Sequence, residues 1–291
     1  MGVRWRLDPE VDPEAAIQLL EARKALARRL EAGEEIPQVD CARMYQKLRP
    51  EVGAAFEPIC GGHMMFVGVN SPIGHACGLG FDGPVTAEDL DRLEKFYRSH
   101  GAPAQVDLCP LTDPSLLELV KERRYGIHEL NNVLYRVLDQ KEAAAEVPDV
   151  CIRRSKPEEA GVFSEILSRC FFENGNAPEG FAEMLAPLFA FPEALTFLAF
   201  VGDEPVAAAA GRVILEHRIF ALFGAGTLPD FRGRDIQTAL LRTRMKAAAE
   251  AGCEVAVVVT QGGTTSYRNC VRVGFEVAYS KATLIKHWDG P

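Results

Sequence analysis

The densest chemistry in the chain lies in fourteen consecutive residues, Leu228-Pro229-Asp230-Phe231-Arg232-Gly233-Arg234-Asp235-Ile236-Gln237-Thr238-Ala239-Leu240-Leu241. The run follows an apolar, strand-like stretch, packs two arginines and a glycine into a turn, and then takes on helical spacing. A turn at a helix N-terminus leaves backbone N–H groups without intrahelical acceptors, and the helix dipole adds partial positive charge there. Such a turn binds a phosphate or pyrophosphate. An ordinary strand-to-helix loop with two solvated arginines is the competing reading of the same residues.

The elements that would position this turn recur in order. In the first half, spacing predicts a helix from Pro13 to Ala32, capped by Asp12 and closed by Gly33. Strands at 62–70 and 73–80 flank the turn Asn70-Ser71-Pro72, and Thr86-Ala87-Glu88-Asp89 opens a helix to about His100. A strand at Val106–Cys109, a helix at Asp113–Arg123 and two strands within Tyr125–Leu138 follow. The second half has a strand at 149–153, helices at Pro157–Cys170 and Gly180–Phe189, and strands at 195–201, 205–215 and 218–228. A helix at Ile236–Ala251, a strand at Glu254–Thr260, a helix at Thr264–Val273 and strands at 275–280 and 282–287 complete it.

The halves superpose at an offset of 150 or 151 residues: Gly101 falls on Gly252, Val106–Cys109 on Val257–Thr260, and Arg124-Tyr125 on Gly274-Phe275. We read an internal duplication of one mixed α/β unit, with copies at 1–140 and 149–291 and a linker at 141–148.

Composition narrows the function classes. With 291 residues, 47% hydrophobic and 25% charged, the chain is an ordinary globular one with length for two cores. No apolar run is long enough for a membrane span, and Met1-Gly2-Val3-Arg4-Trp5-Arg6 lacks the apolar core of a signal peptide, so a cytoplasmic protein is expected. Eight cysteines with no Cys-x-x-Cys pair, and six scattered histidines, give no zinc pattern and no metal is expected. The net charge of −9 argues against nucleic acid or an anionic membrane as partner. Charge is uneven: residues 225–272 carry 7 basic and 4 acidic groups, whereas 75–122 carry 4 and 9. The first copy thus has acidic residues where the second has its arginines, and reads as a scaffold.

The second half resembles the GNAT (GCN5-related) N-acetyltransferase family. Arg232, Pro229, Gly233 and the following Ala-Leu-Leu fit that family's acetyl-CoA signature, Gln/Arg-x-x-Gly-x-Gly/Ala, while Asp235 and Gln237 stand where its two glycines would be. Ser266-Tyr267-Arg268-Asn269-Cys270-Val271-Arg272-Val273-Gly274-Phe275 looks like its helix-to-strand element. The whole chain is similar to members that carry a degenerate copy before the working one.

The resemblance implies two tandem GNAT-like domains and acetyl transfer from acetyl-CoA, as co-substrate, to a primary amine on a small molecule or peptide. It implies a cofactor site at Gly226, Thr227, Leu228, Arg232, Gly233, Arg234, Asp235, Ile236, Gln237 and Asn269. Cys270 stands where relatives often place a tyrosine that protonates the leaving thiolate, and Tyr267 is the substitute donor. Glu173, Glu216 and His217 are the candidate bases, and one or two of Phe171, Phe172, Phe181 and Phe189 would line the acceptor pocket. Asp235 and Cys270 motivate the alternative, a non-catalytic acyl-CoA sensor or interaction module.

Overall fold

A computed structural model describes residues 13–69, 71, 73–172, 175–191 and 193–288. The first half comprises α1 (Pro13–Leu48), β1 (Ala55–Ile59), β2 (Gly62–Phe66), α2 (Ala87–Ser99), β3 (Ala104–Leu108), α3 (Ser115–Glu122) and β4 (Gly126–Val137). The second comprises β5 (Val150–Arg154), α4 (Ala160–Phe171), α5 (Phe181–Met184), α6 (Pro187–Ala190), β6 (Ala194–Val201), β7 (Glu204–Ile214), β8 (Ile219–Thr227), α7 (Ile236–Glu250), β9 (Val255–Thr260), α8 (Thr265–Arg272) and β10 (Glu276–Lys286). The expected mixed α/β architecture, used twice, is present.

β1 and β2 form a hairpin, and the other eight strands form one sheet in the order β3-β10-β4-β9-β8-β7-β6-β5. The β8–β9 pair is parallel and the other strand pairs of this sheet are antiparallel. The order interleaves the halves: β10 lies between β3 and β4, and β4 lies between β10 and β9. Each half therefore completes its sheet with the last strand of the other. Lys281 pairs with Asn131, its own equivalent 150 residues earlier, and Ser280–Asn132 mirrors Ala282–Leu130. An approximate twofold axis of the duplication thus passes between Asn131 and Lys281.

Helices cover the second half's sheet on both faces. α7 and α8 bury Ile236, Leu240, Met245 and Cys270 against β6–β9, while α4, α5 and α6 bury Phe163, Leu167, Phe181 and Leu188 on the other face. α1 crosses from the first half, packing Ala27 and Leu30 against Ile219, Val257 and Tyr279.

Several expected boundaries move. The first helix runs to Leu48 instead of stopping at Gly33. A Cβ at Gly33 would lie 2.6 Å from Val257 Cγ1, so this glycine serves close packing of α1 on the sheet. Pro37 sits inside the helix, where its missing N–H leaves the Gly33 carbonyl without its helical donor. β1 was not anticipated, and the stretch expected as a strand at 73–80 makes only bridges at Ala76 and Cys77. The helix expected at 180–189 divides at Pro187, whose ring cannot continue α5. β4 and β10 are single long strands, not pairs; β10 absorbs its irregularities as register shifts at Val277/Tyr279 and Thr283/Leu284. Met1–Arg6, Asp12, Asn70, Pro72 and Glu173, named above, lie outside the described residues.

Candidate functional site

The turn between β8 and α7 has the conformation an anion site needs. Gly233 (φ 77°) and Asp235 (φ 56°) are left-handed, so the chain reverses tightly ahead of the helix. The first helical bond runs from the Ala239 N–H to the Asp235 carbonyl. Among the described residues, the N–H groups of residues 233–238 have no protein acceptor. Six successive free donors at a helix N-terminus form an anion cradle. Asp235 needs a conformation that glycine adopts freely and that Asp tolerates better than most. Its side chain turns outward, three-quarters exposed, with Oδ1 4.0 Å from Arg272 Nη1. Arg232 folds back, its Nε donating to the Thr227 carbonyl at 3.1 Å, and the Gln237 amide donates to Thr227 Oγ1 at 3.0 Å.

The sheet opens beside this turn. The β8–β9 ladder ends at Leu222–Val258, although β8 continues to Thr227 and β9 to Thr260. On its other side β8 bulges: Ala208 pairs with Gly226 and Ala210 with Phe223, leaving Gly224 and Ala225 against Ala209 alone. Gly224 has φ 53°, and a Cβ at Gly226 would lie 2.6 Å from Cys170 Cβ, so α4 approaches β8 too closely for any side chain there.

This splay leads into a cleft of about 1290 Å³. α7 and α8 contribute Gln237, Leu241, Arg244, Asn269 and Cys270; α1 contributes Glu34, Gln38, Asp40 and Tyr45, and Arg49 just beyond its end joins them. Phe171, Phe172 and Phe181 line it, whereas Phe189 packs edge-on against Phe163 in the core. Asp40 is buried and pairs with Arg212 Nη2 at 3.0 Å.

Residues 162–275 match the model of the Acetyltransferase (GNAT) family. The half of the chain that holds this segment has the GNAT fold. The chain is also similar in structure to a tandem GNAT protein from the clavulanic acid biosynthesis pathway, at TM-score 0.62 and 12% identity over 96% of each chain. A GCN5-related N-acetyltransferase from Kribbella flavida superposes at TM-score 0.61 and 17% identity over 86% of this chain and 96% of that one. One from Sphaerobacter thermophilus gives TM-score 0.52 and 21% identity over 65% and 62%. A search of curated sequences finds no match.

The N-terminal copy repeats the GNAT-like fold without the anion cradle. At the start of α2 the Thr86 hydroxyl accepts from the Asp89 N–H, while the Asp89 carboxylate accepts from the Thr86 N–H at 2.9 Å. The Asp89 carboxyl lies below its ordinary range, chiefly because of that backbone bond. The helix terminus is satisfied by its own carboxylate, and nearby Asp82 is paired with Arg28 of α1.

Gly226, Thr227, Arg232, Gln237, Asn269 and Cys270 come together in the wall of the cleft; Leu228, Gly233, Arg234, Asp235 and Ile236 belong to the adjoining turn. Tyr267 is outside the cleft, partly buried against the α7 core. Cys270 is buried at its edge, and burial pushes its thiol up to about 11. Glu216 and His217 are in the β7–β8 hairpin, away from the cleft, where the His217 carbonyl accepts from Arg29.

A second polar cluster lies on the pseudo-twofold axis. Lys281 Nζ is 2.7 Å from Asp107 Oδ2 and 3.3 Å from Glu31 Oε2, and it also pairs with Glu34. His75 Nε2 is 3.3 Å from Asp107 and 3.4 Å from Glu34. Glu34, His75 and Asp107 could together hold a metal ion, but the Lys281 ammonium already supplies the cation there.

Proposed function

We propose that the GNAT half transfers the acetyl group of acetyl-CoA to a primary amine by direct attack in the cleft. The free N–H groups of residues 233–238, opening onto the β8–β9 splay, carry this reading. They receive the pyrophosphate, and the pantetheine arm follows the splay past Gly226, Thr227, Leu228 and Asn269. Bulged backbone at Gly224–Gly226 approaches the thioester closely. The amine nitrogen attacks the thioester carbon, a C–N bond forms and the C–S bond breaks. The sulfur leaves with the electron pair and takes up the proton that the nitrogen loses. Holding amine and thioester together supplies most of the acceleration. The Cys270 thiol, protonated at neutral pH, donates a hydrogen bond to the leaving sulfur.

Of the cleft's carboxylates, Glu34, Asp40 and Glu179 pair with Lys281, Arg212 and Arg49, and Glu129, which accepts from Asn131, is left to favour a cationic acceptor, a small molecule or a peptide amine. The test is CoA-thiol release from acetyl-CoA across a panel of basic and neutral amines. Release with a basic amine is expected. Acetyl-CoA binding without release from any amine would favour a non-catalytic sensor, a reading supported by the absence of His217 and Glu216 from the cleft.

A further inference from the structure

Arg244 is the anomaly of the GNAT half. It lies on the apolar face of α7, one turn after Leu240 and one before Ala248, and only 2% of it is exposed. Its Nε donates to the Leu240 carbonyl at 3.2 Å and its Nη1 to the Ala210 carbonyl at 2.8 Å. Ala210 is the residue at which the β7–β8 ladder resumes beside the bulge. Among the described residues no carboxylate pairs with Arg244; its electrostatic neighbour is the Cys270 thiol. A guanidinium carries five donors, so three N–H remain. Arg244 also lines the cleft into which β8 and β9 part, together with Leu241 and Cys270. Of the other arginines that line the cleft, Arg49 and Arg212 are each matched by carboxylates, and the partly exposed Arg232 donates to the Thr227 carbonyl. A buried cation without a counter-charge is costly unless a ligand supplies one.

We propose that Arg244 receives the terminal carboxylate of the acyl group, so that the preferred donor is a dicarboxylic acyl-CoA thioester. This rests on the acyl-CoA reading above and specifies which acyl group it takes. Two features place the carboxylate on the donor. Arg244 belongs to the helix whose N-terminus forms the anion cradle, and it lies across the splay from α1, α4 and α5, which wall the acceptor side. The chemistry of transfer is unchanged: the amine nitrogen bonds to the thioester carbon, CoA leaves as the thiol, and the product amide keeps a free carboxylate at the far end of the chain.

The experiment compares succinyl-CoA with butyryl-CoA, which matches it in chain length and lacks the charge, by titration calorimetry on the full chain. Charge-assisted pairing with a desolvated arginine predicts about tenfold or more tighter binding of succinyl-CoA. Arg244→Met should abolish that preference, so that the two thioesters bind alike, and Arg244→Lys should retain part of it. Equal affinities in the unaltered protein, or a preference that survives in Arg244→Met, would overturn the proposal. The comparison on the unaltered protein decides even if the Met variant fails to fold. Failure of free CoA and every thioester to bind would instead refute the donor-site reading on which this rests.

Discussion

Replacing Lys281 with methionine perturbs the sheet where the two halves interleave. The ammonium is 1% exposed and faces Asp107, Glu31 and Glu34, drawn from β3 and α1, while Lys281 itself is on β10. Methionine preserves most of the volume and removes the charge. Taking one partner from a buried ion pair typically costs about 3–5 kcal/mol. At about 2–4 °C per kcal/mol, this lowers the midpoint by about 6–20 °C in thermal unfolding followed by circular dichroism. Lys281→Met with Asp107→Asn removes one charge of each sign, leaves His75 to face Glu34, and should recover at least half the loss. Burial works against the charge on His75, but Asp107 and Glu34 outweigh it and hold its pKa up at about 10. Its stabilising contribution is therefore complete below the unfolded value near 6.5 and is lost as pH rises toward 10. Burial likewise opposes the Asp107 charge, but His75 and Lys281 outweigh it and hold that carboxyl well below its ordinary range. Its contribution is present above about pH 4 and is lost in stronger acid. The network should stabilise most between about pH 4 and 6.5. A loss below about 1 kcal/mol in Lys281→Met, or no recovery in the double variant, would refute this account.

Three further outcomes follow from the GNAT half. Asp235→Gly removes a carboxylate beside the anion cradle and a left-handed non-glycine residue, and should tighten CoA binding a few-fold, since one charge at about 7 Å in water is worth roughly 0.6 kcal/mol; unchanged affinity by calorimetry would show that the outward turn toward Arg272 already removes the repulsion. Gly226→Ala, with its Cβ 2.6 Å from Cys170 Cβ, should destabilise by about 1–3 kcal/mol, and Cys170→Ala should not relieve it because that Cβ remains. Tyr267→Phe should leave thiol release within about twofold, whereas Cys270→Ala should lower kcat about tenfold; the reverse ranking would move the proton donor to Tyr267.

The turn and the helix start after it were legible because their signals are local: arginines, a glycine and the onset of helical spacing within a few residues. The tandem architecture was legible as well, in the recurring order of the elements. The exchange of β4 and β10 was not legible, because alternation along a strand fixes its faces but not its neighbours. Gly33 misled for a related reason. A glycine that ends a helix and one that lets a helix approach a sheet look alike until the sheet is in place. Arg244 left a usable signal, since an arginine on the apolar stripe of α7 contradicts the helix's own pattern. Glu216 and His217, candidate bases from the sequence, lie away from the cleft because proximity to a strand end does not say which end of the strand holds it, and Glu173 lies outside the described residues.

The interleaving explains how the first copy could lose its anion site and still be required. Among the described residues β10 pairs with the strands β3 and β4 alone, both from the first half, and β4 also covers β9. α1 walls the cleft of the GNAT half and packs Gly33 against Val257. Nothing in these duties needs a phosphate turn, so acidic capping at α2 costs the second half nothing. Residues 149–291 alone would therefore leave β10 without either neighbour, expose one edge of β9, and uncover the apolar wall around Ile219 and Val257. That fragment should aggregate or stay unfolded, and adding residues 1–140 in trans should restore a soluble pair. A monomeric, cooperatively unfolding 149–291 fragment would show that β10 can close the sheet by itself and that the exchange is dispensable.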